Sequence, residues 1–98
     1  MAGHDFNRPF VDQASFATYK ARDQVTADQF GPLVKAYELS NVDYALRYQR
    51  LHGPNNMRRP PSHGRIFSGY LVIRKLGTPS QYETWMPDHV FDDLYAPA

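Results

Sequence analysis

The stretch that decides the fold is residues 69–95, GYLVIRKLGTPSQYETWMPDHVFDDLY. Within residues 66–76 the run Tyr70-Leu71-Val72-Ile73 is apolar at consecutive positions. Both faces of an extended chain there would be buried, so the segment belongs inside a sheet. Gly77 to Ser80 supplies a turn, and Gln81 to Met86 alternates Tyr82, Thr84 and Met86 against Glu83 and Trp85, which completes a hairpin. Pro87 suits the first position of a helix, where its missing N–H costs nothing, and Asp88 suits the positive end of the helix dipole. Val90, Phe91, Leu94 and Tyr95 then form a stripe that lies on the sheet.

Upstream of the hairpin, residues 53–65 (GPNNMRRPPSHGR) hold three prolines, two glycines and three arginines without periodicity, and read as a loop. Loops of this length are uncommon in compact domains unless they bind something or stay unstructured. Before it, Ser40 is an N-cap with Asp43 three residues on, opening a helix from Asn41 to about Leu51. At 100° per residue, Asp43, Arg47 and Arg50 are expected on one polar face, with Asp43 and Arg47 as an i,i+4 pair. Val42, Tyr44, Ala45, Leu46, Tyr48 and Leu51 spread over the rest.

Residues 33–39 (LVKAYEL) alternate as a short strand with one buried face. Thr26 is expected to cap a short turn that Gly31-Pro32 closes. Residues 12–22 (DQASFATYKAR) favour a helix capped by Asp12, although alternation through Phe16, Thr18 and Lys20 also permits a strand.

With 98 residues and 11.3 kDa there is room for one domain, 1–98, and one modest core. Residues 1–33 form a variable N-terminal segment and 34–98 an α+β module. The expected architecture is a small, largely antiparallel sheet with a C-terminal hairpin and one or two helices packed on it. Absence of cysteine excludes a disulfide scaffold, a thiolate metal site and cysteine nucleophiles, and fits a reducing cytoplasm. A mean hydropathy of −0.61 argues against a membrane span, and the opening MAGHDFNRPF has neither the basic flank nor the apolar block of a signal peptide.

The net charge of +1 conceals segregation. Through Asp43, four bases and six acids give −2. Residues 44–82 carry Arg47, Arg50, Arg58, Arg59, Arg65, Arg74 and Lys75 with no acid, giving +7. From Glu83 onward four acids and no base give −4. Either the acidic ends fold against the basic centre and neutralise it, or the centre stands clear as a binding face.

Catalytic and metal signatures are weak. His4, His52, His63 and His89 lack the His-x-x-x-His and His-Glu-x-x-His spacings, so neither a metal nor a cofactor is expected. Asp88, Asp92 and Asp93 read as the solvent face of a helix. Ser62 beside His63 carries no implied geometry in an irregular loop. The stronger constellation is Arg58, Arg59, His63 and Arg65 in the loop, backed by Arg47 and Arg50 on the preceding helix. Arginine's planar fork matches phosphates and carboxylates bidentately. Tyr44, Tyr48, Phe67, Tyr70 and Tyr82 are interleaved and open a base-stacking alternative, although aromatic residues in a small domain are needed in its core.

The C-terminal elements Gly69-Tyr70-Leu71-Val72, Trp85-Met86-Pro87 and Val90-Phe91 through Tyr95 resemble the ending of small accessory proteins of tailed bacteriophages and prophages. VKAYELSNVDY upstream is similar to what precedes that ending, so the likeness spans about residues 34–95, interrupted by the Arg/Pro loop. The resemblance implies a non-enzymatic protein of the host bacterial cytoplasm. It would bind and inhibit or redirect a host protein or protein–nucleic acid complex, as anti-defence or anti-CRISPR inhibitors do. It carries over no catalytic residue. Arg47, Arg50, Arg58, Arg59, His63 and Arg65 are the expected contacts. Asp88, Asp92 and Asp93 offer a second, phosphate-mimicking acidic face. Two alternatives stand beside this reading: a module that sequesters a signalling nucleotide or nucleic acid, and a virion structural or assembly protein that forms homo-oligomers.

Overall fold

A computed structural model of the chain describes residues 16–53, 55–60 and 64–98. The elements run β1 (Ala17–Ala21), α1 (Gln24–Phe30), β2 (Leu33–Glu38), α2 (Asn41–Leu51), β3 (Gly69–Arg74), β4 (Tyr82–Pro87), α3 (Asp88–Leu94) and β5 (Tyr95–Pro97). The strands form one antiparallel sheet in the order β4-β3-β2-β1-β5. With its helices this is the expected small α+β fold with a C-terminal hairpin.

Strand alternation sorts the core into two layers. Leu71 and Ile73 of β3 and Trp85 of β4 pack with Leu39, Tyr44 and Met57 beneath α2. Val72 and Met86, their neighbours in sequence, face the other way with Val34, Ala36, Phe91 and Tyr95 beneath α3. Helices α2 and α3 therefore lie on opposite faces. Gly69 is obligatory for this arrangement, because a Cβ there would collide with the Trp85 ring and the Met86 carbonyl. The same edge of the indole is fixed by a hydrogen bond, in which Nε1 donates to the Leu39 carbonyl at 2.6 Å.

Several expectations need correction. Within 12–22, the helix reading gives way to strand β1; residues 12–15 lie outside the described residues. Tyr19 stacks edge-on against Phe91 at 4.8 Å while Thr18 and Lys20 face solvent, and β1 pairs with strands on both sides. The turn expected at Thr26 is the helix α1, and its cap is Asp23, whose side chain accepts from the Thr26 N–H at 2.8 Å. That bond holds the Asp23 carboxyl below its ordinary pKa. Pro87 is the N-cap of α3 rather than its first residue. Tyr95 leaves the helix to start β5, a short edge strand that tolerates Pro97. The described residues of the 53–65 loop are joined to the sheet where Met57 forms a parallel bridge with Glu83 along the outer edge of β4.

The largest correction concerns α2. Its limits and its Ser40 cap match the sequence, with Ser40 Oγ accepting from the Asp43 N–H at 3.1 Å. Its rotation does not. Arg47 is 0 % exposed, whereas Val42 and Leu46 are each 41 % exposed. The polar face inferred from Asp43, Arg47 and Arg50 is therefore split, because Arg47 turns inward to a buried carboxylate on β4.

Candidate functional site: an arginine-rich sheet edge

Glu83 organises the site. Its alternation with Thr84 puts it on the face that Trp85 occupies, where solvent is excluded, so the carboxylate needs a cation. Arg47 supplies one from α2 in bidentate geometry: Nε donates to Oε2 and Nη2 to Oε1, each at 3.0 Å, with both side chains fully buried. The backbone of Glu83 points outward from the sheet edge and holds the arginine segment. Its N–H donates to the Asn56 carbonyl at 2.8 Å and its carbonyl accepts from the Arg58 N–H at 2.7 Å.

Arg58 is held from three directions. Besides that N–H bond, its carbonyl accepts from the buried Tyr44 hydroxyl at 2.8 Å, and its guanidinium lies 4.3 Å from the centre of the Tyr82 ring. Burial, reinforced by the Glu83 charge, pushes the Tyr44 hydroxyl pKa well upward, so it remains a donor. Tyr82 in turn sits beside Arg74. That residue is itself buried, 3.6 Å from the Phe30 ring centre, with Nε donating to the Tyr95 hydroxyl at 3.0 Å.

The residues expected to contact a partner therefore separate. Arg58 and Arg59 are exposed together on the outer edge of β4. Arg50 is exposed on the last turn of α2. Arg65 is exposed at the other end of that helix, where its carbonyl accepts from Asn41 Nδ2 at 3.0 Å and the Phe67 N–H donates to Asn41 Oδ1 at 2.7 Å. His63 lies outside the described residues. Arg47 is not a surface contact at all, since it is consumed by Glu83.

Asp88, Asp92 and Asp93 lie on α3, on the far face of the sheet from α2. Asp92 and Asp93 are exposed, while Asp88 is half-buried with Oδ1 unpartnered. Burial first, then the charges of Glu38, Asp88 and Asp92 among its neighbours, raises the pKa of Tyr70. The carboxyl end of α3 is closed by Arg22, whose Nε donates to the carbonyls of Asp92 at 2.6 Å and Tyr95 at 3.0 Å.

The aromatic residues are largely committed to packing. Tyr44 is fully buried, Tyr70 stacks on Phe91 at 4.0 Å, and Tyr48 stacks on His52 at 4.5 Å. Two surface depressions of about 420 and 390 Å³ flank the sheet, and no arginine lines either. Among the described residues no three His, Asp or Glu side chains are grouped to hold a metal, and no helix is long and apolar enough to cross a membrane. Comparison with protein-family models, curated proteins and solved structures finds no match.

The sequence reading overlooked Glu83 and Asn41 as site residues, and it offered Tyr82 as a base-stacking ring where the structure sets it under the Arg58 guanidinium. A usable signal existed for the first: a carboxylate two residues from an inward tryptophan in a strand shares its face, and must meet an inward cation.

Proposed function

We propose that this chain is a non-enzymatic binding protein whose Arg58–Arg59 edge engages an acidic surface of a macromolecular partner and inhibits or redirects it. The fixation of Arg58 carries the reading. Its N–H and carbonyl are both bonded and its guanidinium rests on Tyr82, yet the residue is exposed. A cation ordered in advance loses little freedom on binding, and its fork accepts a carboxylate bidentately.

The aromatic packing favours protein over nucleic acid as the partner, because, of the five rings expected to stack bases, only Phe67 is exposed. On this reading the resemblance to phage accessory proteins implies a host protein or protein–nucleic acid complex in the bacterial cytoplasm.

The test is affinity capture from host lysate by the full chain, followed by binding to the identified partner. The Arg58→Ala/Arg59→Ala double variant removes two exposed side chains and should keep its melting temperature while losing tenfold or more in affinity. Wild-type binding should weaken with salt. Partner binding that survives the double substitution and ignores salt defeats the proposal.

A further inference from the structure

The inward turn of Arg47 leaves the solvent side of α2 with an unusual composition. Val42 and Leu46, one turn apart, are each 41 % exposed near the middle of that side, and Ile66 and Phe67 are 74 % and 39 % exposed. The latter two extend the apolar edge at the first turn, where Phe67 is tied to Asn41 by both its N–H and its carbonyl. Asp43 and Arg50 flank the stripe. The capture of Arg47 by Glu83 removes the neighbour expected for Asp43, and neither Asp43 nor Arg50 has a side-chain hydrogen bond or ion pair with a described residue. Seven residues apart, they share an azimuth to within about 20° and are separated by about 10 Å along the axis.

We infer that this face is a two-fold interface between copies of the chain, with the two α2 helices packed antiparallel and crossing at Leu46. In an antiparallel pair the same flank of each helix faces its counterpart. A register centred on Leu46 sets Val42 of one copy beside residue 50 of the other and brings Asp43 of each copy to Arg50 of its partner. One surface thus supplies both halves of the contact, as a closed two-fold interface requires. The parallel alternative sets Asp43 on Asp43 and Arg50 on Arg50 and is repulsive. Glu38 shares a depression with Asp43 and adds to the negative end that receives the partner's arginine. An 11-residue helix buries less than the roughly 800 Å² per partner of a standard interface, so the dimer is weak and concentration-dependent.

The chain contains no cysteine, which makes the test direct. The full chain is followed by sedimentation velocity from about 10 to 500 µM at low and high salt, a range suited to a sub-standard interface. Mass should rise toward the dimer with concentration, and less so at high salt. Under mild oxidant the Leu46→Cys variant should cross-link to itself at least tenfold faster than Thr78→Cys, an exposed control at the β-hairpin turn. Asp43→Arg and Arg50→Asp should each abolish association, and their combination should restore it. Monomeric mass throughout the range overturns the inference. So does Leu46→Cys cross-linking no faster than the control, or a combined charge swap that stays monomeric while its helical circular dichroism is intact. Because Arg58 and Arg59 take no part, Arg58→Ala/Arg59→Ala should dimerise normally, which separates this interface from the partner-binding edge.

Discussion

Replacing Glu83 by glutamine tests the central structural claim, that a buried ion pair joins α2 to β4 and sets the arginine edge. Glu83 and Arg47 are both fully buried and share two hydrogen bonds of 3.0 Å. Glu83→Gln keeps the volume but leaves the guanidinium charge without its counter-charge in a low-dielectric site. Breaking a buried pair from one side costs about 3–5 kcal/mol, a large share of the roughly 5–15 kcal/mol that holds a domain together. With a urea dependence of about 1.5 kcal/mol per molar, the midpoint should fall by about 2–3 M. The loss should persist in high salt, because a buried pair is little screened. Replacing both members, Arg47→Met with Glu83→Leu, removes the two desolvation penalties together and should be within about 1 kcal/mol of wild type or more stable. Urea denaturation followed by tryptophan fluorescence reads all three proteins, since Trp85 sits in the same layer. A single substitution costing under about 1 kcal/mol, or a double substitution as damaging as the single one, would refute the assignment of a buried pair whose energy is mainly uncompensated charge.

Two further outcomes follow from the packing. Gly69→Ala should destabilise by about 1–3 kcal/mol or more through overpacking against Trp85 and the Met86 carbonyl; a thermal midpoint unchanged from wild type would show that the β3–β4 contact is looser than described. Burial raises the pKa of Tyr44, Tyr70 and Tyr95 above the ordinary 10.0. Their neutral forms therefore stabilise the fold fully below pH 10, and that contribution is lost as pH rises beyond it. Denaturation midpoints should fall from pH 9 to 11.5 while tyrosinate absorbance of the folded protein rises later than that of the unfolded chain, and tyrosines that all ionise at 10 in the folded protein contradict this.

The hairpin and the helix after it were legible because their signals are local: consecutive apolar residues, a glycine-containing turn, and a proline before an acidic helical turn. Ser40 and Asp43 likewise announced α2. What the sequence hid was rotation. Asp43, Arg47 and Arg50 look like one polar face because charge ordinarily faces water, but the orientation of α2 is decided by Glu83, 36 residues from Arg47 in the chain. A periodicity argument treats all cations as solvated and cannot see a carboxylate brought inward by another strand. β1 was ambiguous because Phe16, Tyr19 and Lys20 fit helical spacing while Phe16, Thr18 and Lys20 fit strand alternation, and only the partners on either side resolve it. Strand β5 escaped because three residues carry too little pattern. The docking of the arginine loop on β4 left no signal in the sequence because its anchors are backbone atoms of Glu83, which leave no trace in side-chain chemistry.

The charge segregation acquires a different meaning once α2 is rotated. Two of the seven bases in residues 44–82 are structural: Arg47 is neutralised by Glu83, and Arg74 is enclosed by Phe30, Tyr82 and Tyr95. Glu83, counted with the acidic end, belongs to the same core. Tyr82, which carries the Arg58 guanidinium, alternates onto the face that Met86 shares with α3, so Arg58 sits at the sheet edge and not behind the sheet from the α3 acids. The surface therefore presents exposed Arg58 and Arg59 at the β4 edge, exposed Arg50 and Arg65 at opposite ends of α2, and exposed Asp92 and Asp93 on α3. With a screening length of about 8 Å at physiological salt, cations dispersed in this way steer a partner only at close range. Selectivity must then come from fixed geometry rather than from a diffuse field, and β4 couples that geometry to stability. Side chains of Arg58 and Arg59 can be removed without touching the core, whereas any change that displaces Glu83 loosens both the α2 layer and the backbone that positions Arg58.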